Sequence, residues 1–153
     1  MRIAAFSAAA ALLACTTALH AAIPVKIGIL NDEMTPFFRD IAGKGSVVAA
    51  KMAIEDFGAP AKGLDVTVLW ADHRNAPDFA AEKAREWYDK DGVDAIFDVP
   101  NSAVALAVSA VTQKENKVFI DSGAATSDLT GPRCSPNTLH WTYDTWELAH
   151  GAG

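Results

Sequence analysis

The stretch Val25 to Gly58, VKIGILNDEMTPFFRDIAGKGSVVAAKMAIEDFG, constrains the fold most. In its first six residues Val25, Ile27 and Ile29 fall on one face, and Lys26, Gly28 and Leu30 on the other, which predicts a strand. Asn31 to Gly45 reads as a loop, punctuated by Pro36, Gly43 and Gly45. From Lys44 the period changes: Val47, Ala50, Ile54 and Phe57 recur at helical spacing, while Lys51, Glu55 and Asp56 can face water. Gly58 stands where a helix C-cap belongs. Strand, long loop and helix together form the first half of a βαβ unit. A long loop costs ordering entropy without adding core, so it needs a reason. In open α/β sheets ligands sit outside the carboxyl ends of the strands, which is where this loop lies.

Met1 to Ala22 reads as a signal peptide, residues 1–22. Arg2 supplies the positive start, Ile3 to Leu19 is apolar and alanine-rich, and Ala21 and Ala22 provide small residues for cleavage. A membrane anchor is the alternative, but the run falls short of the ~20 residues a spanning helix needs. Leu12-Leu13-Ala14-Cys15 also resembles a bacterial lipobox, which would make Cys15 a lipidated first residue. Either route leads out of the cytoplasm, and a periplasmic location is expected.

Without this segment the chain carries 12 Lys+Arg against 19 Asp+Glu, a net of −7. That excludes the basic face a nucleic-acid partner would require. Residues 23–153 suffice for one domain, or one lobe of a larger protein. Cleavage after Ala22 would leave Cys134 as the only cysteine, an odd number for an oxidising compartment. Cysteine spacing offers no metal site, and no cofactor is expected.

The remaining chain alternates. Leu64 to Trp70 reads as a strand, Pro77 to Lys90 as a helix with Pro77 in its first turn, and Asp94 to Val99 as a strand. Asn101 to Gln113 follows as a helix and Lys117 to Asp121 as a strand. A connection rich in Gly, Pro, Ser and Thr runs from Ser122 to Asn137, with one helical turn near Ser127. Leu139 to Tyr143 reads as a fifth strand, and Thr145 to His150 begins another helix. The pattern predicts an α/β fold: a doubly wound parallel sheet with right-handed crossovers and helices on both faces. The last helix has little more than a turn, so residues 23–153 read as a fragment, or as one lobe of a two-lobed protein.

The loops at the strand ends carry the candidate site. After the third strand comes Asp98-Val99-Pro100-Asn101-Ser102. Asn101 or Ser102 can cap the next helix, whose free N–H groups and positive dipole end could also hold an anion. After the fourth strand, Asp121-Ser122-Gly123-Ala124-Ala125-Thr126 brings small residues that let a ligand approach the backbone, and a threonine hydroxyl. Ordinary capping and a flexible turn explain each loop separately; two such loops on neighbouring strands point to a site. Phe37, Phe38 and Arg39 lie in the first loop, where an aromatic could cover a ligand or fold onto the core edge. Asp72-His73-Arg74-Asn75 reads as a solvated loop, because adjacent loop residues point different ways and chelation needs further partners. Trp141, Tyr143 and Trp146 read as core or edge packing, with Tyr143, at a strand end, nearest a ligand.

The blocks VKIGILND, GKGSVVAAKMAIEDFG, ADHRNAPD, DGVDAIFDVPNSAVALAV, NKVFIDSGAATSDLTG and CSPNTLHWTYDT closely resemble the solute-binding proteins of branched-chain amino acid type ABC transporters. The resemblance implies the N-terminal lobe of a type I periplasmic-binding fold, with ligand between two lobes that close about a hinge. It also implies a small-molecule ligand, an amino acid or related carboxylate or amide, and a membrane permease as partner. It places Asn101 and Ser102 in the loop after the third strand, and Ala124, Ala125 and Thr126 in the loop after the fourth, as the groups that grip the ligand carboxylate. Phe38 is the best match for the aromatic of the first loop. That loop departs from the family pattern by one extra residue near Glu33 and by Pro36-Phe37-Phe38-Arg39. Ligand identity stays open, because the family extends to amides, urea and aromatic acids.

Two other classes compete. A ligand-sensing domain of a receptor would share the fold and differ by a membrane span downstream. An enzyme on a doubly wound sheet would carry a recognisable motif. Gly28-Ile29-Leu30-Asn31-Asp32 is not a dinucleotide fingerprint, and neither a G-x-S-x-G elbow nor a P-loop occurs. The expected function is therefore extracytoplasmic solute capture without chemistry.

Overall fold

The computed structural model describes residues 21–33, 35–36 and 43–151. The segment read as the signal peptide, up to residue 20, and Phe38 both lie outside the described residues. Five parallel strands form one sheet: β1 Ile23–Asn31, β2 Leu64–Asp72, β3 Ala95–Asp98, β4 Val118–Asp121 and β5 Thr138–His140. Their order is β2-β1-β3-β4-β5. Ile27 pairs with Val68 on one side and Ala95 on the other, and Asp98 pairs with Asp121. The order reverses between β1 and β3, so the switch-point crevice opens between their carboxyl ends. β1 begins two residues before the expected Val25, and β5 is shorter than expected, ending at His140 rather than Tyr143.

The helices are α1 Gly43–Phe57, α2 Pro77–Glu86, α3 Ser102–Lys114 and α4 Thr145–Gly151. α2 continues through Trp87–Asp91 as a wider π turn. Ser127–Leu129 forms the single helical turn expected in the long connection. Among the described residues no helix is long and apolar enough to cross a membrane.

α2 and α3 cover one face of the sheet. There Gly28 and Leu30 of β1 point inward, and Leu30 packs with Ile96, Phe119, Val104, Val108 and Trp87 in a buried cluster. Gly28 belongs to the same face. A Cβ at position 28 would lie 2.5 Å from the Trp87 ring, so glycine is what lets the indole approach β1 this closely. Gly28→Ala is therefore expected to overpack this contact and cost about 1–3 kcal/mol. A urea midpoint equal to wild type in the full-length protein would contradict that account.

α1 covers the other face loosely. Ile27, Ile29, Val66 and Phe97 of the sheet and Ile54 and Phe57 of the helix line an apolar hollow of about 1080 Å³. Phe57 is 54% exposed, and Gly43 is the sole buried residue of α1. The helical period of Val47, Ala50, Ile54 and Phe57 thus predicts the helix correctly but not the depth of its burial. Trp141, Tyr143 and Trp146 correct a second expectation. They are 75%, 52% and 62% exposed, because β5 ends before them and no described element packs over them. Cys134 is likewise exposed, as a free thiol.

Candidate ligand-binding site

All strands are parallel, so the row of polar residues that ends them lies at one edge of the sheet. Asn31 ends β1, Asp98 ends β3 and Asp121 ends β4; all three are buried. Asp98 is the node. Its two carboxylate oxygens accept from Asn31 Nδ2 and from Ser122 Oγ, the latter at 3.1 Å. Asn31 Nδ2 also donates to Ser46 Oγ at 2.9 Å, which ties in the start of α1. A crevice of about 210 Å³ opens here, with Asp98, Ser122 and Ser46 as its polar lining and Ile29 and Phe97 as its apolar lining. It lies at the carboxyl ends of β1 and β3, where the chain leaves the two strands in opposite directions, as the strand order requires.

The backbone at this edge is held in an unusual conformation. Asp98 has φ 82° and Val99 φ 64°. Aspartate tolerates the left-handed region, but a β-branched valine there is a genuine outlier. Such strain costs about 1–3 kcal/mol and persists only where surrounding contacts over-determine it. Here they do: Val99 is fully buried, and its N–H donates to Leu30 O at 3.0 Å. The turn swings the chain through Pro100 into α3. Asn101 is the cap, its Oδ1 accepting from Val104 N at 3.1 Å. Ser102, the first residue of α3, is half-buried; among the described residues no hydrogen bond occupies its hydroxyl.

The loop after β4 meets the loop after β3. Ser122 N donates to Asp98 O at 3.4 Å. A Cβ on Gly123 would sit 2.9 Å from Pro100 Cα, so glycine is what allows the two loops to touch. Ala124 is fully buried and both its backbone groups are engaged: its N–H donates to Asp121 Oδ1 at 2.9 Å, and its carbonyl accepts from His140 Nε2 at 2.6 Å. Ala124 therefore fixes the loop through both its backbone groups. Ala125 is half-buried, and its carbonyl accepts from Thr145 N at 2.8 Å. Thr126 Oγ1 accepts from Asp128 N at 3.3 Å, which leaves its hydroxyl hydrogen for another acceptor. Tyr143 stands in the segment beside Ala125, beyond β5 rather than at its end. The structure thus brings Asn101, Ser102, Ala124, Ala125 and Thr126 to adjoining loops, leaves Tyr143 exposed nearby, and does not describe Phe38.

His73 overturns the reading of its loop as solvated. It is fully buried; its Nδ1 accepts from Asn75 N at 3.0 Å, and its Nε2 finds no partner among the described residues. Burial pushes its pKa down, against the pull of Asp32, Asp72 and Asp98. Asn75 is turned inward too, donating from Nδ2 to Asp32 Oδ2 at 2.8 Å. Sequence reasoning also missed Asn31, Asp98 and Asp121 as the supports of the edge. The only signal was that each is a polar residue ending an apolar strand. Among the described residues no group of His, Cys, Asp and Glu is arranged to hold a metal ion.

The model of the periplasmic binding protein family matches residues 24–153. A periplasmic binding protein from Burkholderia mallei superposes with a TM-score of 0.77 at 44% identity, over 82% of this chain and 33% of that one. A branched-chain amino acid ABC transporter periplasmic ligand-binding protein from Burkholderia xenovorans gives 0.74 at 38% identity, over 83% and 36%. The transporter substrate-binding protein LivJ of Streptococcus pneumoniae, solved with isoleucine, shares the fold at 0.68 and 20% identity, over 79% and 34%. Searching the curated proteins gives no match. The chain spans about one third of the length of the solved structures it matches. With a five-stranded parallel sheet and a family match over residues 24–153, the chain belongs to the periplasmic binding proteins.

Proposed function

We propose that this chain supplies the N-terminal lobe, residues 23–153, of an extracytoplasmic solute-binding component of an ABC uptake transporter. Residues 1–22 direct export, and the mature protein delivers its solute to a membrane permease. The observation that carries this reading is the strained Asp98-Val99 turn at the β1/β3 crevice, held by Asn31 and Ser122 and touched by the next loop at Gly123. Strain stored where two loops converge at a switch point suits a ligand site better than a structural corner. The free Ser102 hydroxyl, the first N–H groups of α3 and the Thr126 hydroxyl hydrogen form a set of donors, which suits a carboxylate or amide oxygen. An amino acid, or a related small carboxylate or amide, is therefore the solute class.

The test is a thermal-shift screen of the full-length protein against isoleucine, leucine, valine, benzoate, urea and short amides. A solute at a hundredfold excess over its Kd adds ~2.7 kcal/mol of stability and raises the melting temperature measurably. No shift with any of these solutes would contradict the proposed class. A shift that survives replacement of both Ser102 and Thr126 by alanine would place the site elsewhere.

A further inference from the structure

His140 and Asp121 form a closed polar unit beneath the loop after β4. Their side chains are 4% and 0% exposed. Asp121 Oδ1 accepts from Gly123 N at 3.1 Å and from Ala124 N at 2.9 Å. Its Oδ2 makes no hydrogen bond among the described residues and lies 3.3 Å from His140 Nε2. The same Nε2 is 2.6 Å from the Ala124 carbonyl. A carbonyl only accepts, so Nε2 carries a hydrogen and donates it to Ala124, with the carboxylate beside it. Ala124 is thereby held from both sides, its N–H by Asp121 and its C=O by His140. Ala125 and Thr126 follow directly. The charged groups that face Asp121 are Asp98, its register partner on β3, and His140, its register partner on β5.

We propose that Asp121 and His140 are positioning residues for solute binding: together they set the loop 122–126, and the grip on solute loosens when Asp121 takes up a proton. This rests on the reading that the loop contacts solute. Oδ1 is saturated by two amides, so the proton goes to Oδ2, where it meets the N–H of His140. The carboxylate charge that holds the Nε2–H at this place is then lost, and the imidazole bond to the Ala124 carbonyl loosens. Burial pushes the Asp121 carboxyl up to about 6, with its two amide bonds and His140 acting against the shift. The change therefore falls in mild acid. Stability moves the other way. An acid whose pKa is higher folded than unfolded gains protons first in the folded state, so its contribution to stability rises as pH falls from about 6 towards its ordinary 3.8. Solute affinity and this contribution to stability have opposite pH slopes, which a purely structural residue would not produce.

The experiment uses the full-length protein and the variants Asp121→Asn, His140→Gln and His140→Leu. Amide exchange over residues 122–126 is measured without solute, and calorimetric titration uses isoleucine and benzoate as probes at pH 7.5 and 5.0. Glutamine keeps a donor near the Nε2 position, so His140→Gln should protect the loop amides and bind within about threefold of wild type. His140→Leu should lose roughly tenfold in both, the effect of one hydrogen bond at ~1.4 kcal/mol per decade. Wild type should weaken roughly tenfold from pH 7.5 to 5.0, again one bond's worth, and Asp121→Asn should stay flat. Equal loop protection in His140→Leu and wild type, or an unchanged pH slope in Asp121→Asn, overturns the proposal. Should His140→Leu fail to fold, rescue by glutamine and the pH slope still decide. If Thr126→Ala binds the probes as wild type does, the site reading fails instead, and loop protection alone then decides whether the pair positions the loop.

Discussion

Replacing Asp98 by alanine is expected to destabilise the full-length protein by about 3 kcal/mol and to abolish most of its solute affinity. Three effects add. Asn31 Nδ2 loses its charged acceptor inside the protein, and a hydrogen bond to a charged group is worth ~1.5–3 kcal/mol. Ser122 Oγ loses its acceptor at the neighbouring loop. Alanine must also adopt φ 82°, where a Cβ costs roughly 1–2 kcal/mol that aspartate offsets better by local hydrogen bonding. Relief of the buried charge works against these terms and keeps the net below their sum. Asp98→Asn keeps the shape and tolerates the left-handed region, so it should retain most of the stability. The measurement is the urea midpoint at constant m. An unchanged midpoint for Asp98→Ala would mean that Asp98 does not anchor the edge.

Ser102→Ala is expected to do the reverse, costing affinity and sparing the fold. Asn101, not Ser102, caps α3, so removing the serine hydroxyl breaks no bond described in the structure. If that hydroxyl donates to a solute carboxylate, its loss removes one charge-assisted bond of ~1.5–3 kcal/mol, roughly ten- to over a hundredfold in affinity. Asn101→Ala should show the opposite balance, with ~1 kcal/mol of stability lost with the cap. Calorimetric titration beside a melting curve separates the two. Equal affinity for Ser102→Ala and wild type would return Ser102 to an ordinary first helical turn.

The donor set and the strained turn belong to different levels of information. Asn101, Ser102 and Thr126 were legible as hydroxyl and amide side chains at loop–helix junctions, because capping chemistry is local. Which of them would be left free was not legible. Asn101 takes the cap by reaching Val104 N, and Thr126 takes the turn by reaching Asp128 N. Once these bonds form, Ser102 is the hydroxyl left over. Ala124 was expected at the site from the family resemblance; the bonds its backbone makes, to residues three before it and sixteen after it, were not legible.

The sequence by itself determined the order of elements and the faces of the strands. Ile27 and Ile29 alternate with Gly28 and Leu30, and period two assigns them to opposite sides whatever packs there. It determined the parallel sheet too, because each strand is followed by a crossover rather than a tight turn. Only the tertiary structure decided what each face meets. Gly28 is required by Trp87, 59 positions away along the chain, and Asp98 by Asn31, 67 away. His73 is polar and sits between polar neighbours, so local pattern sends it to solvent. It is buried because its N–H is tied to the Asn31 carbonyl at the end of β1, at 2.8 Å, among Asp32, Asp72 and Asp98. Periodicity reports which residues share a surface. The depth of that surface, and the partners of its polar groups, depend on elements distant in sequence, and those contacts exist only once the chain has closed.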